Sequence, residues 1–327
     1  MSRLGAVVVI AAAIFAVVLP FFLKPFGLYL ISMWAVLTVA AIGLNLTLGY
    51  AGQVSLAQGA FVGIGAYTVG LLLPIGVPFP IAFVAAGLLC FVVGWILGYP
   101  ALRVQHHYLA FVTLAFNTLV FLVLRNEEWL TGGTYGINGT PRPTLLGWST
   151  NKPLDFYFLC LGAMVVLAAA TWWMLRSPWG RAFVALRENP IRALSLGLDT
   201  RRYTLMAFAI GSSLGGLSGA LYAPLVQFIE PNSFALGMSF NLLLMVIVGG
   251  GGYFFGPFLG ALVAVLLPEW MRVTQDYYLM VYAALIMVMM AFCPSGLLGL
   301  VDRVGRRLRS GEQGPAAAAF EPQSTPP

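Results

Sequence analysis

The chain has 327 residues, of which 60% are hydrophobic and only 9% charged, with a net charge of +6 and a mean hydropathy of +0.90. Water-soluble domains are about 45–50% apolar and about 25% charged, so the composition excludes a soluble enzyme, a disordered region and a nucleic-acid-binding domain. It describes an all-α, polytopic membrane bundle, in which ten spans of about 20 residues each would use about 200 residues.

In chain order the apolar runs fall at 5–22, 28–48, 54–73, 79–99, 108–124, 155–175, 203–227, 236–250, 253–269 and 277–293. Arg3 precedes the first, as in a secretory signal, but Pro20-Phe21-Phe22-Leu23-Lys24 follows without a small-x-small cleavage site, so the run reads as a retained span. No charge occurs from Pro25 to Leu102, nor within Tyr203–Ile229, Pro231–Pro268 or Tyr277–Leu300. One Arg or Asp at a span centre costs about 2.5–3.5 kcal/mol on insertion scales, so these stretches belong in lipid or among other helices. Cys90, Cys160 and Cys293 sit singly in apolar runs and read as small packing residues.

The eighth and ninth runs are separated only by Gly249-Gly250-Gly251-Gly252. That run could kink one helix or turn between two. The loop 176–202 carries Arg176, Arg181, Arg187, Arg192, Arg201 and Arg202, and the C-terminal tail carries Arg303, Arg306, Arg307 and Arg309. The positive-inside rule puts both in the cytoplasm, which requires an even number of crossings between them. A turn at the glycines satisfies this and a kink does not. Ten spans with both ends cytoplasmic follow, and five plus five crossings would allow inverted halves. The expected organisation is a permease domain over 1–301, with an external loop at 126–153 and the cytoplasmic loop at 176–202. A disordered cytoplasmic tail is expected over 302–327.

No side chains are arranged for catalysis. His106 and His107 are adjacent at the expected cytoplasmic interface and point about 100° apart on a helix, unsuited to sharing a metal. Apart from Asp155 and Glu269 at the ends of their runs, the spans hold no Asp, Glu or His for a proton relay. A P-loop needs Gly-Lys, but Lys24 and Lys152 follow Leu23 and Asn151. If ATP drives this chain, another subunit hydrolyses it.

Two segments carry information. Residues 49–67 are rich in small residues and hold Gln53, Ser55 and Gln58, with Gly59 and Gly63 four apart. Ser55 and Gln58 are three apart and so share a face, and the glycines let backbones approach. The polar groups could bind helices together or line a polar passage. Similar ridges occur at Gly211, Gly215 and Gly219 and at Gly252, Gly256 and Gly260. In the cytoplasmic loop, Ser177-Pro178 and Asn189-Pro190 are two successive cap-and-proline helix starts, and Gly197 suits a left-handed helix end. The spacing predicts helices from Pro178 to about Arg187 and over Pro190–Leu196. Trp179, Phe183 and Leu186 would share one face, and Ile191, Leu194 and Leu198 another. Such stripes fit either a lipid surface or a partner's groove.

At these segments the chain resembles the LivM-type permeases of branched-chain amino acid ABC importers. The likeness spans about residues 25–300. It is carried by Gly43-Leu44-Asn45-Leu46, Gly49-Tyr50-Ala51-Gly52-Gln53-Val54-Ser55-Leu56, Phe61-Val62-Gly63-Ile64-Gly65-Ala66-Tyr67-Thr68, Tyr108–Phe116 and Leu130-Thr131-Gly132-Gly133. Ser177–Ala182, Ala185–Pro190, Gly249–Gly252, Gly256-Pro257 and Pro294–Leu297 continue it. The resemblance implies a path for Leu/Ile/Val-type amino acids across the inner membrane. It also implies a second homologous permease, two cytoplasmic ATPases that hold ATP and Mg, an extracytoplasmic substrate-binding protein and no cofactor on this chain. Urea or short-amide importers have similar permeases, and an ATP-independent secondary transporter is the alternative of a different class. By the same resemblance, Gly180, Arg181, Phe183, Ala185, Arg187, Glu188, Asn189, Ile191, Leu194 and Gly197 form the loop that docks on the ATPase. Asn45, Gln53, Ser55, Gln58, Gly59, Gly63, Thr113 and Asn117 are the candidates for path lining or helix packing.

Overall fold

The structure is a computed structural model that describes residues 15–101, 106–145, 148–270 and 296–299. Most of the first apolar run, the tenth at 277–293, Cys293, the tail from 302 and the side chains of His106 and His107 lie outside the described residues. The described chain is a helical bundle. Its helices are α1 (Pro25–Asn45), α2 (Gln58–Leu72), α3 (Phe79–Ala101), α4 (His106–Asn126), α5 (Pro153–Arg176), α6 (Pro178–Glu188), α7 (Pro190–Ser195), α8 (Thr200–Val226), α9 (Leu236–Gly249) and α10 (Gly256–Trp270). Five of them are long and apolar enough to cross a membrane, α1 together with the turn that follows it, α3, α4, α5 and α8, while α2, α9 and α10 are shorter and apolar.

Helices α1 and α8 are the most buried spans and pack on each other, and α8 also packs on α2 and α3. Side-chain size sorts inside from outside. Along α3, Phe79, Ala82, Ala86 and Cys90 recur at helical spacing on the buried face, while Ile81, Val84, Leu88, Val92 and Ile96 point outward. Lipid tails are as apolar as Leu, so burial of large apolar groups does not draw spans together; close packing and hydrogen bonds do. The bundle accordingly uses small residues where helices meet. A Cβ on Gly65 of α2 would overlap the backbone carbonyl of Gly216 in α8, and one on Gly219 would overlap the carbonyl of Val62.

The glycine run 249–252 is a turn. Helix α9 ends at Gly249, Gly250 and Gly252 take positive φ, and α10 begins at Gly256. The two helices then pack closely side by side, so that a Cβ on Gly249 would overlap the Gly256 carbonyl and one on Gly260 the Met245 carbonyl. The third apolar run departs from the expectation of a helix from residue 54. Gly52 has φ +70°, residues 52–57 are non-helical, and α2 starts only at Gln58. Ser55 therefore does not share a helix face with Gln58.

Residues 126–153 are a folded cap. Thr131 Oγ1 donates to the carbonyls of Leu124 and Glu127, which fixes the turn Glu128–Thr131. Strand β1 (Ile137–Asn138) pairs antiparallel with Phe228–Ile229 just beyond α8. Gln227 ends α8 in the left-handed conformation, and its carbonyl accepts from the amides of Gly139 and Thr140. The strands Thr144–Leu145 and Trp148–Ser149 form a second small antiparallel pair.

Candidate functional site: a capped loop and a polar helix junction

Ser177 Oγ accepts from the Trp179 amide and caps α6, and Asn189 Oδ1 accepts from the Arg192 amide at 3.0 Å and caps α7. The Asn189 amide itself donates to the half-buried Ala185, and Gly197 closes the second helix at φ +82°. The two helices have different surroundings. Helix α6 is seated on the bundle: Phe183, Leu186 and Ala182 are buried, and Tyr203 at the start of α8 meets the rings of Trp179 and Phe183 edge-on. Gly180 lies directly on the Leu175 backbone at the end of α5, where a Cβ would overlap the carbonyl. Helix α7 turns only Ala193 inward. Ile191, Leu194 and Leu196 are 80%, 61% and 81% exposed. Arg181 and Glu188 are exposed beside them.

Arg187, expected as part of the docking loop, is exposed like Arg181 and Glu188 but also reaches back to the bundle. Its guanidinium donates to the Gly49 carbonyl in the π-turn (Leu46–Tyr50) that ends α1. Its stem runs against Gly52, where a Cβ would lie 3.0 Å from Arg187 Cγ, and its head meets Gly252 in the α9–α10 turn. The physical reason is the helix end. The last carbonyls of a helix lack intrahelical donors and carry partial negative charge, which a guanidinium satisfies.

Asn45 ties the same place together from the other side. Its Nδ2 donates to the Tyr253 carbonyl at 3.0 Å, and its Oδ1 accepts from the Gly252 amide at 2.9 Å. One side chain thus holds the α9–α10 turn to the end of α1. Gln58 does the same in the bundle centre, where Nε2 donates to Ala40 of α1 at 3.0 Å and to Gly211 of α8 at 3.1 Å. Trp34, Cys90 and Ser218 likewise donate to carbonyls of other helices, those of Phe258, Phe61 and Val36.

A second cluster surrounds the start of α2. Thr113 Oγ1 accepts from the Leu56 amide at 3.0 Å, and Ser55 Oγ accepts from Ala57. Ser239 of α9 accepts from the Gly59 amide at 2.8 Å and donates to Asn117 Oδ1 at 3.1 Å. Ser239 is a member that sequence reasoning missed; a polar side chain inside the apolar run 236–250 was its only signal. A Cβ on Gly59 would meet Ser239 at 2.7 Å, whereas one on Gly63 would meet the Phe234 side chain at 3.0 Å. The backbone contact expected at Gly63 therefore lies two residues on, at Gly65, because α8 crosses α2 over its Val62–Gly65–Ala66 face. Two buried polar atoms in this region have no partner among the described residues, Asn117 Nδ2 and Gln53 Oε1.

Residues 26–290 match the family model of the permease component of branched-chain amino acid transport systems. The chain belongs to this permease family. It is similar to the high-affinity branched-chain amino acid transport system permease LivM of Escherichia coli K12, at 33% identity over 92% of this chain and 76% of that protein. It is also similar to a probable branched-chain amino acid permease LivM of Methanocaldococcus jannaschii, at 28% identity over 47% of this chain and 44% of the relative. The autoinducer 2 import permease LsrC of Escherichia coli K12 / DH10B matches at 24% identity over 68% of this chain and 63% of the relative. No solved structure matches this chain. As a member of this permease family, the chain is a helical membrane transport subunit.

Proposed function

We propose that this chain is one of two homologous permeases that together form the path for branched-chain amino acids across the inner membrane. The chain crosses ten times with both ends in the cytoplasm. Two separate ATPases bind ATP and Mg, and an extracytoplasmic binding protein delivers the substrate. The observation that carries the reading beyond family membership is the division of labour in the cytoplasmic loop: α6 is anchored to the bundle, while α7 presents Ile191, Leu194 and Leu196 outward. Two exposed apolar side chains on a capped helix and a third at its C-cap suit a partner's groove. The polar candidates Asn45, Gln58, Thr113 and Ser55 are occupied by backbone groups of this chain. This favours helix packing as their role and a path formed against the second permease.

The test is reconstitution of the full importer. Uptake of labelled leucine should require ATP and the binding protein, and should be competed by isoleucine and valine but not by urea. Leu194→Asp buries a charge in the docking surface. Loss of an apolar anchor costs about 2 kcal/mol or more, so the ATPase should be lost while the permease pair remains inserted. A variant that keeps both full uptake and a bound ATPase would place the loop on lipid instead.

A further inference from the structure

Arg187 stands at the meeting of three segments that are far apart in sequence. Its backbone belongs to the last turn of α6, its guanidinium holds the Gly49 carbonyl in the π-turn ending α1, and the same head lies against Gly252 in the α9–α10 turn. Asn45 closes the arrangement by binding Gly252 and Tyr253. The glycines leave the space: Gly49, Gly52 and Gly252 each have a neighbour from the junction where a Cβ would stand. Gly296, just past the last apolar run, sits against Gly250, so a fourth segment reaches the same turn. A π-turn is a rare element, found frequently at functional sites.

We propose that Arg187 is the strut that carries displacement of the α6–α7 loop to the ends of α1, α9 and α10. The proposal rests on the reading of this loop as the ATPase contact. Helix α6 already moves with α5 and α8 through Phe183, Leu186 and Gly180, but those contacts are apolar and can slide. A guanidinium fixed to one carbonyl and resting against Gly252, with its stem against Gly52, transmits both push and pull. It links the first half of the bundle to the second at the cytoplasmic end, where an ATPase would act. Arg187 touches no substrate; it is a positioning residue.

The experiment uses the reconstituted importer with its second permease, ATPases and binding protein. Arg187→Ala should keep the ATPase bound at normal ratio and continue to hydrolyse ATP, while uptake per ATP hydrolysed falls about tenfold, within the usual range of coupling between sites. Arg187→Lys, which can still donate to the Gly49 carbonyl, should restore much of that ratio. An unchanged ratio in Arg187→Ala, or an equal loss in both variants, overturns the proposal. Leu194→Asp separates the two readings: if it leaves the ATPase bound, the docking role fails, whereas a changed ratio in Arg187→Ala with the ATPase bound concerns the strut alone. Should Arg187→Ala not insert, spin labels at Glu188→Cys and Gly251→Cys in an importer that retains Arg187 decide the matter. Both sites are exposed, and a Cβ at Gly251 meets only Val246 Cγ1 at 4.0 Å. Their separation should stay constant between nucleotide-free and ATP-bound states. A change of more than about 2 Å, the size of an ordinary helix shift, would mean that the junction does not move as a unit.

Discussion

Replacement of Gly65 by alanine tests whether backbone contact, rather than general apolarity, holds the centre of this bundle. The added methyl would overlap the Gly216 carbonyl oxygen and stand 2.6 Å from its carbon and 2.7 Å from its Cα. Ordinary van der Waals contact begins near 3.4 Å, so the backbones of α2 and α8 must separate by more than an ångström at the carbonyl oxygen. Neither helix can yield freely. Helix α8 is held on its other faces by α3 and α1, where Gly216 also meets Cys90 Sγ and Gly211 meets the Gly43 carbonyl. Overpacking a close contact costs about 1–3 kcal/mol, and loss of the Gln58–Gly211 hydrogen bond across the same crossing would add to it. Gly162 of α5 is the control, since it is exposed and a Cβ there meets nothing within 4 Å. Alanine at that position should be neutral or stabilise by up to about 1 kcal/mol through helix propensity. Gly63→Ala should fall between, because there the Phe234 side chain need give by only a few tenths of an ångström. Unfolding of the purified permease in detergent, followed by tryptophan fluorescence against denaturant, gives the order. Equal stability of Gly65→Ala and Gly162→Ala would refute the close crossing. Val62 is fully buried, so an enlarged residue at that site also overpacks and is no control.

Asn45→Ala should destabilise the same preparation by about 1–3 kcal/mol, because it leaves the Gly252 amide without its acceptor; a change below about 0.5 kcal/mol would mean that water or another group replaces the bond. Reporter fusions at Asn138 and Arg306 should report opposite sides of the membrane, and the same side for both would refute the ten-span topology. The purified chain alone should not turn over ATP, since no Gly-Lys is present for a P-loop, and contaminant-free hydrolysis by this subunit would contradict the assignment of ATPase activity to a partner.

Much of the fold was legible because its signals are local or carried by charge. Ser177 and Asn189 cap helices by bonding amides two and three residues away, so the sequence around each contains the whole motif. The turn at Gly249–Gly252 was expected from the arginines on either side of it, because placing both groups on one side by the positive-inside rule fixes the parity of crossings between them. The start of α2 was not legible. Residues 54–57 are as apolar as the helix they precede, and nothing in their periodicity marks the break; the mark is the positive φ of Gly52, which a sequence does not display. The pairing of Ile137–Asn138 with Phe228–Ile229 joins two-residue strands from distant segments, too short for any alternation to register.

The candidate site divides along the same line, for a reason specific to membrane bundles. Its tertiary hydrogen bonds mostly run from a side chain to a backbone carbonyl: Gln58 to Ala40 and Gly211, Asn45 to Tyr253, Ser218 to Val36, and Arg187 to Gly49, 138 residues away. Every residue owns a carbonyl, so the identity of an acceptor leaves no trace in the sequence. The donor leaves one, as an isolated polar residue in an apolar run, and so does the glycine that makes room for the approach. Donors and glycines could therefore be picked out one by one, while the junctions they make had to wait for the helices to be placed. Arg187 illustrates this: as an exposed arginine in an amphipathic helix it has the pattern of a solvated charge, and only the nearby end of α1, with carbonyls that its own helix cannot satisfy, gives its guanidinium a partner.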